Sequence, residues 1–223
     1  MTDFFHFCEF PVLPVAVYPF NNETLANDVS QHKAVGELVG TSFSPGINGE
    51  PGGSLELQGR ADSYIELSKD AGNLDIRFSI TILLYVYPMG SPGPIVNHKK
   101  DGHGVQIYET DNVLAARVNQ RNDGRTKPVE TKEKLQSDQW HFIGMTYNYS
   151  SGLVKLWQDG REVASENIGS THIATQFDVR IGARQIVNDD DFFRGRVACL
   201  QFYSTALTQR EIEKARIACK PCK

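Results

Sequence analysis

The chain has no cysteine between residues 9 and 198; its four cysteines stand at 8, 199, 219 and 222. Cross-links inside the body of the fold are thereby excluded, so the middle of the chain must hold itself by packing. No stretch approaches the ~20 consecutive apolar residues of a membrane-spanning helix, which excludes a membrane span of that kind. There is no basic excess either: 23 Lys and Arg stand against 27 Asp and Glu, a formal charge of −4. A phosphate-binding footprint is normally basic, so nucleic acid is excluded as the main partner. No period of ~20–50 residues recurs, which removes repeat solenoids. Residues 1–10 carry neither a basic leader nor a cleavage site, so residues 1–11 are read as an N-terminal extension rather than a signal sequence. Glycine and proline cluster at 44–53, but no Lys-Ser/Thr pair and no amphipathic helix follows, so a phosphate-cradling loop is not expected there.

What is present is organised around residues 140–164. Trp140-His-Phe-Ile-Gly-Met-Thr-Tyr147 and Leu153-Val-Lys-Leu-Trp-Gln158 are two runs of strand length around a polar turn ending in Gly152. Bulky β-branched and aromatic side chains suit a pleated surface. Asp159-Gly160 is a hairpin signal, and Arg161 to Ala164 can return beside the second run. Three successive antiparallel strands are predicted. The first is apolar at both parities apart from His141 and Thr146, as a central strand covered on both faces would be.

This run resembles the middle of a laminin G-like domain of the concanavalin A-like lectins and glucanases. Asn27-Asp28-Val-Ser30, Gly36, residues 49–57 and Tyr64-Ile-Glu-Leu67 resemble the opening strands of that family. Asp191-Phe-Phe-Arg-Gly-Arg-Val-Ala-Cys-Leu-Gln-Phe-Tyr203, followed by residues 206–212, resembles its closing strand and terminal helix. The resemblance covers residues 12–219 and leaves a tail at 220–223. It implies an all-β, two-sheet antiparallel jelly-roll sandwich with one short C-terminal helix. A chain of 223 residues is long enough to bury such a core as one domain.

The remaining elements agree with an all-β reading. Strands are expected at 12–20 (an edge strand, given its prolines), 54–57, 64–67, 76–87, 95–97, 104–108, 113–118, 177–181 and 197–203. Residues 21–40 read as a polar loop, 98–103 as an exposed hairpin tip, and 119–134 as a solvated loop with at most one weak strand. Thr208-Gln-Arg-Glu211 is a capping box that starts a helix from 209 to about 218. Four cysteines allow three pairings. Cys199 lies in the last predicted strand and Cys219 just past the helix, so a bridge between them would pin helix to sheet, at roughly 3 kcal/mol in the chain-entropy model. Cys8 and Cys222 would then join the ends; a zinc site on Cys219-Lys-Pro-Cys222 or free thiols are the alternatives. Disulfides and the sequons at Asn22 and Asn148 both point to a secreted, extracellular protein.

For function, the resemblance implies calcium held by Asp28, Ser30 and Gly36. The acid that relatives place in the last strand is Ala198 here, and Asp189, Asp190 and Asp191 could substitute. The plainer reading of Asp28 is turn capping. Glycoside hydrolysis needs two carboxylates across the scissile bond, arranged in laminarinase-like relatives as E-x-D-x-x-E; Glu109-Thr-Asp111-Asn-Val-Leu114 fails at its third acid. Glu109 and Asp111 read instead as hairpin-turn acids, and no enzyme is expected. His98, Asp101 and His103 share the hairpin tip as a metal alternative, and His141 reads as a satisfied strand histidine. Candidate ligand-stacking aromatics are Tyr149, Tyr108 and Trp157, with Tyr147 beside them; for Trp157 the core is the preferred reading. The expected function is recognition or adhesion through a glycan or an extracellular-matrix protein. A structural domain of a larger matrix or mineral-associated protein is the alternative.

Overall fold

A computed structural model describes residues 12–98, 104–111, 113–183, 191–217 and 219. In chain order the strands are β1 (Ala16–Tyr18), β2 (Glu37–Val39), β3 (Ser42–Ser44), β4 (Ser54–Gln58), β5 (Tyr64–Leu67), β6 (Ile80–Ser91), β7 (Pro94–His98) and β8 (Val105–Thr110). They continue with β9 (Val113–Val118), β10 (Val129–Lys134), β11 (His141–Asn148), β12 (Leu153–Gln158), β13 (Arg161–Asn167), β14 (Val179–Ile181) and β15 (Arg194–Tyr203), before helix α1 (Gln209–Ala215). One sheet runs β13-β12-β11-β6-β15-β4-β3, with β1 also paired to β15; the other runs β10-β9-β8-β7-β14-β5-β2. The pairings between these strands are all antiparallel, which is the two-sheet sandwich expected.

The double-sided apolar pattern of β11 has a specific cause. Ile143, Met145 and Tyr147 belong to the main core between the sheets, with Ile82, Ile107, Leu156 and Phe202. Phe142 belongs to a second core with Leu83, Tyr85, Trp157, Tyr203 and the helix residues Ile212 and Ala215. The helix therefore roofs the outer face of the sheet. Gly144 lets β11 and β6 approach: a Cβ there would sit 2.3 Å from the Ile82 carbonyl oxygen.

Helix α1 is held at both ends. Thr208 accepts from the Glu211 amide, and the Glu211 carboxylate returns to the Thr208 N–H at 2.7 Å, completing the capping box. Tyr85 Oη donates to the Arg216 carbonyl at 2.9 Å and Gln201 Nε2 to the Ala215 carbonyl at 3.1 Å. Cys199 and Cys219 form the expected bridge, with Cα atoms 5.7 Å apart. Cys199 has a φ of 53° at a bulge between Ala198 and Gln201, and its N–H goes to the Pro19 carbonyl rather than to β6. Cys8 and Cys222 lie outside the described residues.

Several expectations need correction. The first strand is shorter than expected, only β1; it pairs on one side alone, with β15, as an edge strand does, but its residues are buried. β2 lies in the stretch expected as a polar loop and β3 borders the turn-rich stretch at 44–53, while β10 is the one weak strand allowed for at 119–134. These three are edge strands, exposed for much of their length, so they lack the apolar pattern that makes a strand legible. β6 starts four residues later than expected and runs past Pro88 to Ser91, where the register with β15 is irregular. A ladder interrupted there tolerates a residue without an N–H.

Candidate functional site

At one end of the sandwich, three chain segments are cross-braced beside one another. Arg121 donates through Nη1 and Nη2 to the two oxygens of Asp75, at 2.6 and 2.8 Å. Thr175 Oγ1, with one proton to donate, lies 2.9 Å from the Ile76 carbonyl and 3.1 Å from Asp75 Oδ1. Donation by Arg121 holds the Asp75 carboxyl below its ordinary range and, reciprocally, holds the guanidinium charged. Backbone bonds complete the brace: the Arg121 N–H goes to the His172 carbonyl at 2.8 Å, and the Ile173 N–H to the Arg77 carbonyl at 2.9 Å.

Tyr147 supplies the adjoining wall. Its ring is fully buried, and its hydroxyl accepts from the Thr171 N–H at 2.8 Å while lying 3.0 and 3.1 Å from the carbonyls of Gly169 and Thr171. Burial pushes this phenol up from its ordinary pKa, so the hydroxyl keeps its proton and can donate. Two residues on, the Tyr149 N–H donates to Ser79 Oγ at 3.0 Å, fixing Tyr149 at the mouth.

Three rings meet there. Tyr149 stacks on His172, with centroids 5.9 Å apart and planes 30° from parallel. Phe78 stands edge-on to both, at 5.2 Å from Tyr149 and 4.9 Å from His172. Phe78 is 51% exposed, unusual for a phenylalanine with no apolar cover. Beside the rings is a cleft of about 460 Å³ lined by Arg121, Asn122, Tyr149, Ser170, Thr171 and His172. That volume lies within the roughly 300–1,000 Å³ of small-ligand sites. Ring faces that can take the C–H face of a ligand, beside hydroxyl and amide groups that can orient its polar edge, suit binding. None of the lining residues is a carboxylate or a thiol, so the cleft lacks the paired acids of a glycosidase.

Of the expected ligand residues, only Tyr149 reaches this cleft. Tyr108 is half-buried on β8 in the other sheet, and Trp157 is 4% exposed beneath the helix, where its indole N–H donates to Thr146 Oγ1 at 3.0 Å. Trp157 is thus a core residue. Phe78 falls within the strand expected at 76–87 but lies before β6, which starts at Ile80, while Arg121 and His172 each stand alone outside the strands; only the fold brings the three together.

The other candidates are dispersed. Asp28 is buried; its Oδ1 accepts from the Val17 and Ser30 amides at 2.8 and 2.9 Å, and its Oδ2 from Ser30 Oγ at 2.6 Å. It ties β1 to its own turn. Gly36 packs where a Cβ would lie 2.6 Å from Leu67 Cδ2. Among the described residues no three His, Cys, Asp or Glu side chains group to hold a metal, Ala198 is buried, and Asp191 is exposed before β15. Asp189 and Asp190 lie outside the described residues. The donors described do not amount to a calcium shell of six to eight oxygens. Asn22 and Asn148 are both exposed.

The acids and histidines also differ from expectation. Asp111 is exposed in the β8–β9 turn at φ 49°, but Glu109 is 5% exposed within β8, and burial pushes its carboxyl up to about 7. Leu114, opposite Glu109, is buried. His141 is bonded at Nε2 to the Gln136 carbonyl at 2.9 Å, with Nδ1 3.7 Å from Asp159. His98 is no loop residue: it ends β7, fully buried against the Phe202 ring, and desolvation lowers it to about 4, below any role as a surface cation. Asp101 and His103 lie outside the described residues.

A family profile described as the concanavalin A-like lectin/glucanases superfamily, of laminin G type, matches residues 58–213, more than half of the chain. No curated protein matches it. Among solved structures, the binding domain of Paraclostridial Mosquitocidal Protein 1 is similar at 18% identity and TM-score 0.72, covering 90% of this chain and 51% of that one. A botulinum neurotoxin type C structure, whose cell entry is described as dependent on interaction with two ganglioside molecules, is similar at 14% identity and TM-score 0.70, covering 94% and 51%. The binding domain of botulinum neurotoxin DC in complex with SialylT is similar at 13% and 0.70, covering 92% and 50%. At such identities the likeness is one of fold, and this chain spans about half the length of those it matches.

Proposed function

Because the chain belongs to the concanavalin A-like lectin/glucanases superfamily, we propose that it is a non-catalytic carbohydrate-recognition module whose sugar sits in the Tyr149 cleft. The observation that carries this is the exposed ring cluster of Phe78, Tyr149 and His172 beside a cleft walled by hydroxyl and amide groups. A pyranose has one apolar C–H face and a rim of hydroxyls, and such a surface complements both. The ring positions are set by a buried phenol and a bidentate ion pair, so little ordering cost falls on binding. The ganglioside and SialylT complexes of its structural neighbours support a glycan as the ligand class without extending their ligands to this chain.

We also propose an extracellular setting, which the Cys199–Cys219 bridge supports, and in which an extracellular-matrix protein is the alternative partner. No described helix is long and apolar enough to cross a membrane. Calcium stays a proposal for the segment holding Asp189 and Asp190, with no step of recognition routed through it. A glycan array tests the main reading: wild type should retain at least one glycan, and Tyr149→Ala should lose it while melting normally. Binding that survives Tyr149→Ala would move the site elsewhere.

A further inference from the structure

On the reading of this cleft as a sugar site, we infer that it selects neutral sugars over those carrying a carboxylate. Arg121 is the one cation among the residues lining it. An acidic sugar is normally held by a guanidinium fork, whose two parallel N–H groups meet both carboxylate oxygens. Here the end-on fork, one N–H from each terminal nitrogen, is already engaged at 2.6 and 2.8 Å by the two oxygens of Asp75, which leaves a ligand only the side-on and outer N–H groups. The pair is partly buried, with side-chain exposures of 23% for Arg121 and 30% for Asp75, so water weakens it less than a surface pair.

The rest of the cleft wall holds no permanent cation; His172, the other basic side chain in it, stacks on Tyr149. Asn122, Ser170, Thr171 and Tyr149 offer amide and hydroxyl groups, which pair with sugar hydroxyls and carry no charge to match a carboxylate. Arg77 does not line the cleft, and its Nε lies 3.8 Å from the same Asp75. Asp123 and Arg125, both exposed just beyond Asn122, carry opposite charges and add no net positive charge to that turn. A ligand carboxylate would therefore have to displace Asp75 from the Arg121 fork or approach by the outer N–H groups of a guanidinium whose charge Asp75, shared with Arg77, already balances in part. Thr175 adds to the cost of displacement only through the share of its one hydroxyl proton that goes to Asp75 rather than to the nearer Ile76 carbonyl.

The test is an array of matched pairs, each neutral oligosaccharide beside its sialylated or uronic-acid counterpart. It is read at about pH 8, above the ordinary imidazole range of about 6.5. The full chain is compared with Tyr149→Ala and Asp75→Asn. Wild type should favour the neutral member of each bound pair, lose it in Tyr149→Ala, and hold its preference as salt rises. Asp75→Asn should free the fork and move the preference up to about fivefold toward the acidic members at low salt. Wild-type binding of acidic members that vanishes in Tyr149→Ala and weakens with salt would overturn the selectivity and leave the sugar site standing. Silence on both classes would overturn the sugar site itself, and the selectivity with it. Should Asp75→Asn fail to fold, the salt response of the wild-type preference decides alone.

Discussion

Tyr147→Phe isolates one oxygen atom that joins the core to the cleft. The ring stays where it is, fully buried among core residues, so its packing is unchanged and only the hydroxyl is lost. That hydroxyl has one proton and accepts from Thr171 N–H. Its removal strands the Thr171 N–H and whichever of the Gly169 and Thr171 carbonyls takes the proton. A buried unsatisfied group costs about 1–3 kcal/mol. Ser170 and His172 on either side of Thr171 are exposed, so water reaches part of this loop and the lower half of that range applies to each group. About 2 kcal/mol in total is expected, or roughly 4–8 °C in Tm for a domain of this size. Urea unfolding of wild type and variant measures the loss, and hydrogen exchange at the Thr171 amide locates it. The cleft wall should loosen with it, so glycan affinity should fall although the substituted residue does not line the cleft. A loss under about 0.5 kcal/mol with unchanged Thr171 protection would refute the claim that this hydroxyl holds the wall.

Three further outcomes are expected. Glu109 is raised by burial to about 7, and Asp159 helps raise His141 despite the opposing effect of desolvation. A raised folded pKa gives stability that is present at acid pH and lost as pH climbs through that value, so both groups should make the fold less stable from about pH 5 to 8, by up to about 3 kcal/mol for Glu109. Asp75, Asp159 and Glu56 are lowered and act oppositely, their contribution failing below the ordinary carboxylate range. Urea titrations across pH should give a maximum on the acid side of neutral that shifts in Glu109→Gln; stability rising steadily from pH 5 to 8 would contradict this. Asp28→Ala should cost about 2–3 kcal/mol by stranding the Val17 and Ser30 amides, equally with and without calcium. A melting temperature that calcium raises only when Asp28 is present would instead restore the metal reading. Removing the Cys199–Cys219 bridge by Ser at both positions should cost roughly 3 kcal/mol, with exchange protection lost first in α1, whose C-terminal end it anchors.

The parts of the fold legible in the residues are those that repeat a local physical condition. β11 announces itself because both of its faces meet a core and β12 because its inward residues recur, and β9 and β5 fall where alternation and turn residues put them. The capping box marks the start of α1 because both of its bonds lie within four residues. β2, β3 and β10 escape the same reading because sheet edges face water, and a half-solvated strand composed like a loop has no period to detect. His98 and Glu109 escape it for the opposite reason: polar residues next to turns are ordinarily exposed, and here the opposing sheet covers them.

By itself the amino-acid order determines stacked antiparallel strands and a capped terminal helix, because alternation and capping are short-range facts; it leaves open three cysteine pairings, from which the structure selects Cys199–Cys219. It also marks Tyr149, as an aromatic in a polar turn. Only the tertiary structure decides that Phe78 and His172 join that ring and that Tyr147 braces the wall behind it. It alone pairs Arg121 with Asp75, 46 residues away along the chain. A binding surface assembled from four separate loops has no signature in any one of them, since each side chain acquires its role only from neighbours that the closed sandwich places beside it.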